Sequence, residues 1–158
     1  MGVYLEKTKC YSYFNITSAG EFRSVGGKYG FAAFENSGFD PDEITGMLGI
    51  APFPKWKIGE PFQNGKGIYR FSTWACCRQE QPAMSAEEQC LNIVHFLTPY
   101  IPKLKTVKQK YNVDFTIMIV PHVYHEQCPI LNVSKEIIEF CYLTGTEIAF
   151  DMYIYDKE

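Results

Sequence analysis

The sequence predicts an α+β fold, a two-layer sandwich with a mostly antiparallel sheet of four or five strands and helices packed on one face. Three observations point there. Stretches that alternate in side-chain character, such as 10–17 and 113–120, are interleaved with stretches whose apolar residues recur every three or four positions. Gly and Pro clusters punctuate the chain between them. No phosphate-binding signature accompanies the alternation, because Gly26-Gly27-Lys28 and Gly65-Lys66-Gly67 lack P-loop spacing and the Ser or Thr that would follow.

The first strand is expected over 10–17. Cys10, Ser12, Phe14 and Ile16 share one face, while Tyr11, Tyr13, Asn15 and Thr17 share the other. Residues 18–28, with Gly20, Gly26 and Gly27, read as a flexible connection, and 29–35 as a strand pairing with the first. Asp40 then caps a short helix over 41–48. Its carboxylate suits the orphan amides of the first turn, Pro41 occupies the first helical position, and Glu43 completes a capping-box pattern. Gly49 ends that helix in the left-handed conformation, and Pro52 and Pro54 prevent its continuation. Capping and solvation account for Asp40, Asp42 and Glu43 better than a metal-binding or acid–base cluster does.

The loop 50–66 leads to a strand over 68–76. Ser85, with Glu88 three residues on, starts the main helix, in which Leu91, Val94, Leu97, Ile101, Leu104 and Val107 form the apolar stripe. Pro99 and Pro102 predict a break near Thr98. A strand over 113–120 follows, with Val113, Phe115, Ile117 and Ile119 on one face, and then a loop over 121–131. Ser134 caps a third helix that stops at Gly145, and a last strand runs over 148–155. In that strand Ile148, Phe150, Met152 and Ile154 are expected to face inward, with Asp151, Tyr153 and Tyr155 outward.

Four separated elements resemble a bacterial family known only as domain of unknown function 4279. They are GFDPDEITGMLGI, the following Trp56-Lys57-Ile58-Gly59-Glu60, the strand IYRFSTWA and the ending LTGTEIAFDMYIYD, in that order. The resemblance covers about residues 29–156 and leaves 1–27 as an N-terminal extension carrying one strand. It implies no catalytic residues. Small proteins of this style are similar to immunity proteins of bacterial toxin systems.

A chain of 158 residues is one ordinary domain, able to bury roughly 70% of its unfolded surface. Apolar residues make up 46% and charged residues 21%, the balance of a soluble globular protein. The first ten residues are charged and lack an apolar run, so no signal peptide is expected. Glu6 stands where a Met1-Gly2 myristoylation motif needs Ser or Thr. A cytoplasmic protein with no membrane contact is expected. The net charge of −3 argues against binding driven by phosphate neutralisation, and so against nucleic acid. Lys103, Lys105, Lys108 and Lys110 are a local exception, read as a solvated helix surface.

Cysteines stand at 10, 76, 77, 90, 128 and 141, and reduced thiols are expected throughout. Strand neighbours point to opposite faces, which argues against a structural disulfide between Cys76 and Cys77. His122-x-x-His125-x-x-Cys128, with Glu126 between, has ligand types that suit zinc but lacks the second ligand pair of a structural site. Cysteine–histidine catalysis would need Cys76, Cys77 or Cys128 to meet His122 or His95. His95, in the main helix, is expected to be partly buried. No serine-hydrolase or zinc-protease motif is present, and no cofactor is expected.

Aromatic residues make up 16% of the chain, and 11 of them are tyrosine. Tyrosine gives large contact area at low entropy cost, with a hydroxyl to satisfy. If helices cover one face of the sheet, the other carries Tyr11, Tyr13, Asp151, Tyr153 and Tyr155. From 68–76 it takes either Arg70, Ser72 and Trp74 or the alternates Tyr69, Phe71 and Thr73. Trp56 either anchors its loop or stands out as a recognition element. These residues predict a non-enzymatic module that binds another protein, such as a toxin domain. The alternative is a metal- or ligand-dependent enzyme built on the His122, His125 and Cys128 loop.

Overall fold

A computed structural model describes residues 7–79 and 83–155. The N-terminal motif residues Met1, Gly2 and Glu6 lie outside the described residues. β1 (Lys9–Ser18) and β6 (Val113–Tyr124) run antiparallel through the middle of the main sheet, in a register that pairs Tyr11 with Val120 and Phe14 with Ile117. On one side of β1 lie β5 (Thr73–Cys76) and then β4 (Lys55–Trp56), both antiparallel. On the outer side of β6, β7 (Thr146–Phe150) and β8 (Tyr153–Tyr155) follow one another along the same edge, both parallel to β6.

The fold is α+β as expected, but the sheet is mixed and has six strands. The parallel edge follows from connectivity. α4 (Lys135–Thr144) crosses between β6 and β7, and a helical crossover returns the chain parallel to the strand it left. The single last strand expected over 148–155 is broken at Asp151 and Met152. Pro121 of β6, which has no N–H to offer an edge partner, lies at this level. Cys10, opposite Pro121, makes its backbone hydrogen bonds to Ala83 instead.

β6 therefore continues through Pro121 to Tyr124, where a loop was expected. A second difference lies at the N-terminal side. Residues 18–28 are not a loose connection: β2 (Gly20–Val25) and β3 (Lys28–Ala33) form their own hairpin. Gly26 and Gly27 take φ of 59° and 78° at its two-residue turn, the positive values such turns require. β3 thus pairs with β2 and not with β1.

α1 (Pro41–Leu48), α2 (Ala86–Leu97), α3 (Ile101–Lys110) and α4 lie on one face of the sheet. α1 is capped as expected, with the Asp42 amide donating to Asp40 Oδ1 at 2.9 Å and Gly49 at φ 72°. Glu43 does not close the capping box with its side chain; it accepts from the Tyr111 hydroxyl instead. Neither Ser85 nor Ser134 makes a side-chain cap bond. In α2 the first amide, that of Ala86, goes to the carbonyl of Ile130. The break predicted near Thr98 is a 3-10 turn over Thr98–Tyr100 that joins α2 to α3.

The core lies between this layer and the sheet. Phe14 meets Phe115 and Phe140 edge-on, and Ile93, Leu97, Leu104 and Ile137 are fully buried around them. Trp74 is fully buried here too, its indole N–H donating to Thr45 Oγ1 of α1 at 3.0 Å. Several polar groups inside are satisfied by one another. Ser12 donates to Gln89 Oε1, and Gln89 Nε2 donates to the Cys10 carbonyl. Ser72 Oγ donates to the Phe39 carbonyl and accepts from the amides of Phe39 and Ile58. Those bonds tie the loop after β4 and the entry to α1 onto the end of β5. His95 is exposed rather than partly buried, and pairs with Glu136 of α4 at 2.6 Å.

Candidate functional site

Strand alternation decides which side chains reach the uncovered face. In β1 they are Tyr11, Tyr13, Asn15 and Thr17; in β6 they are the even-numbered residues from Asp114 to Tyr124. β8 pairs Tyr153 with His122 and Tyr155 with Tyr124, so both tyrosines join the same face. At this end the rings gather around His122. Tyr153 and Tyr155 stack against it at 5.0 and 5.8 Å between centroids, and Tyr11 meets it edge-on at 5.5 Å. Tyr155 stacks in turn on Tyr124 at 4.4 Å. The Tyr155 hydroxyl and His122 Nδ1 are 2.9 Å apart.

The cluster forms one wall of a groove of about 480 Å³, and Phe53, Pro54 and Arg78 form the other. A second hollow of similar volume adjoins it, sharing Tyr11, Phe53 and Arg78 and reaching Cys76 and Cys77. Tyr13 lies in the first groove, and its hydroxyl pKa is raised, first by burial and then by the Asp151 carboxylate, with Arg78 opposing. Tyr153 donates to Asp151 Oδ2 at 3.2 Å, and that hydrogen bond raises its own pKa. A guanidinium and a carboxylate thus flank a floor of phenol rings. Tyr153 and Tyr155 remain 46% and 39% exposed, so the described residues do not seal this end.

Five expected contact residues (Tyr11, Tyr13, Asp151, Tyr153 and Tyr155) therefore lie together. The other three do not join them. Trp74 points into the helical layer and is fully buried, so it cannot meet a partner; the alternate set, with Thr73, faces the open side. Arg70 is exposed but precedes β5, beyond Thr73 and Thr17. Thr17 is itself about 20 Å from Tyr11 along β1. Trp56 is half-buried and stacks on Tyr69 at 4.7 Å, which makes it a loop anchor. It starts an aromatic row through Phe71 and Phe31 to Phe22 and Tyr29 of the hairpin.

Phe150, Met152 and Ile154, expected inward, are exposed, because the helices do not extend over the β8 edge. His122, His125 and Cys128 do not converge. Among the described residues no three His, Cys, Asp or Glu side chains are placed to hold one metal ion. His122 is held by tyrosines in the sheet, while His125 and Glu126 turn away with φ of 52° and 59°.

Arg78, Phe53 and the face position of His122 were missed in the sequence. Continuing the alternation of 113–120 past Pro121 would have placed His122 and Tyr124 beside the tyrosines. Arg78 carried no signal, since its place depends on where β5 ends.

The chain matches a family model, described as Domain of unknown function (DUF4279), over residues 8–155. The chain belongs to that family. The match takes in β1 and the β2–β3 hairpin, so what looked like an N-terminal extension is part of the family domain. No curated protein and no solved structure matches the chain. Among the described residues no helix is long and apolar enough to cross a membrane.

Proposed function

We propose that this chain is a non-enzymatic module that binds another protein through the His122–Tyr153 end of its open sheet face. The supporting observation is the groove itself, in which exposed tyrosines on a rigid sheet are flanked by Arg78 and Asp151. Tyrosine and arginine are the residue types that dominate interface energetics, and a sheet holds them at little entropic cost. An immunity protein that sequesters a toxin domain is the concrete form, consistent with a small acidic chain carrying no catalytic motif. Six free thiols accord with a cytoplasmic setting.

The test is affinity capture from host extract, followed by binding of the recovered protein to the purified chain. A partner that binds Tyr11→Ala/Tyr153→Ala at least about tenfold more weakly than wild type supports the proposal. Equal binding by both, or no specific partner, overturns it.

A second function, a ligand-dependent enzyme, is favoured by one observation: His122 and Arg78 line a groove of small-molecule size. A metabolite that raises the melting temperature of wild type but not of His122→Ala would select this alternative.

A further inference from the structure

The vicinal cysteines break the alternation that would separate them. Cys76 ends β5 buried among core residues, but Cys77 takes φ of 61°. A non-glycine residue rarely adopts that conformation, and here it turns the second side chain back toward the first. The two sulfurs lie 3.3 Å apart, against about 2.05 Å in a bond. Gln79 Nε2 holds the Cys77 carbonyl at 3.0 Å, and Asn92 donates to the Gln79 side chain at 3.3 Å. The pair is reachable through Cys77, which is only half-buried, and both residues line the hollow shared with Tyr11, Phe53 and Arg78.

We propose that Cys76 and Cys77 are an oxidisable dithiol, in which a hydroperoxide oxidises Cys77 and Cys76 resolves it to a reversible disulfide. The Cys77 thiolate attacks the nearer peroxide oxygen. The O–O bond breaks, the leaving oxygen takes a proton, and a sulfenic acid and an alcohol or water result. Cys76 sulfur then attacks Cys77 sulfur, loses its proton and expels the sulfenic oxygen as water. Two thiols are oxidised and one peroxide is reduced.

The roles follow from the surroundings. The hydrogen bond between the two thiols lowers the Cys77 pKa and raises that of Cys76, which burial raises further. The thiolate is the nucleophile, so Cys77 attacks first. Consecutive Cα atoms are about 3.8 Å apart, shorter than the separation disulfides ordinarily span, so the closed bond is strained and easily reduced. Reversible closure is what a disulfide in a reducing compartment requires. This proposal does not depend on the binding role.

The test is equimolar hydrogen peroxide on the reduced full chain, followed by alkylation and tryptic mapping. Cleavage after Arg70 and Arg78 yields a peptide holding both sulfurs and no other cysteine. The expected result is that this peptide loses two hydrogens and resists alkylation before exposed Cys128 reacts, and that dithiothreitol restores it. In Cys76→Ser, a dimedone adduct should collect on Cys77. If wild-type Cys76 and Cys77 stay alkylatable after Cys128 is oxidised, the proposal fails. It fails equally if Cys77 is found only in disulfides between chains.

Discussion

The rings of His122 and Tyr155 lie within 13° of parallel, and the tyrosine hydroxyl closes to 2.9 Å from His122 Nδ1. With Tyr153 stacked on the same imidazole, His122 holds both tyrosines of β8 to the sheet, beside the Tyr124–Tyr155 stack. β8 has three residues, all exposed, so its backbone pairing alone holds it weakly. His122→Ala should cost about 1–2 kcal/mol. Amide exchange should accelerate at Tyr153–Tyr155 while α2 stays protected. Uniform acceleration across the chain would show that His122 supports the whole core instead.

Trp74 joins sheet to helix through one bond. Its indole N–H donates to Thr45 Oγ1, which also donates to the Pro41 carbonyl within α1. Trp74→Phe should destabilise by about 2–3 kcal/mol through lost volume and the lost donor. A double-mutant cycle with Thr45→Val, read by urea unfolding, should give a coupling of about 1 kcal/mol.

Asp40 caps α1 and also meets Lys57 Nζ at 3.1 Å. The Asp42 amide, then Lys57, hold its carboxyl below the ordinary 3.8. A depressed carboxyl stabilises the fold above its unfolded pKa and loses that effect as pH falls through the folded value. Asp40→Ala should cost about 1 kcal/mol at neutral pH, and Asp40→Asn less, since asparagine caps nearly as well. The gap between wild type and Asp40→Ala in chemical denaturation should close as pH falls below 3.8.

Cys90 gives the opposite pH dependence. It is almost fully buried, and burial pushes its thiol from 9.0 up to about 11. The folded chain therefore keeps a proton that the unfolded chain releases. Stability due to this group is intact below pH 9.0 and declines as pH climbs toward about 11. The loss amounts to at most about 3 kcal/mol. Cys90→Ala should flatten that alkaline slope in urea unfolding, and an unchanged slope would assign it to other groups.

Local features proved legible to the residue. α1 reads from Asp40, Pro41 and Gly49 because capping and the left-handed turn are properties of a few adjacent residues. The break after Leu97 reads from Pro99 and Pro102 for the same reason. The hairpin of β2 and β3 was missed because Gly26-Gly27 looks like slack until both residues are seen at positive φ between paired strands. The burial of Trp74 was open between two faces, since a one-residue shift in a short strand inverts every side chain.

The sequence alone determined the fold class, the family, and the face shared by Tyr11 and Tyr13, since period-two alternation and helix capping act over a few residues. Tertiary structure decided that Arg78, Phe53 and His122 join those tyrosines while Arg70, Trp56 and Trp74 do not. It also decided that Cys76 and Cys77 turn toward each other. These outcomes rest on strand register, on where β5 stops, and on one positive φ, each set by the whole packed chain and not by neighbours in sequence.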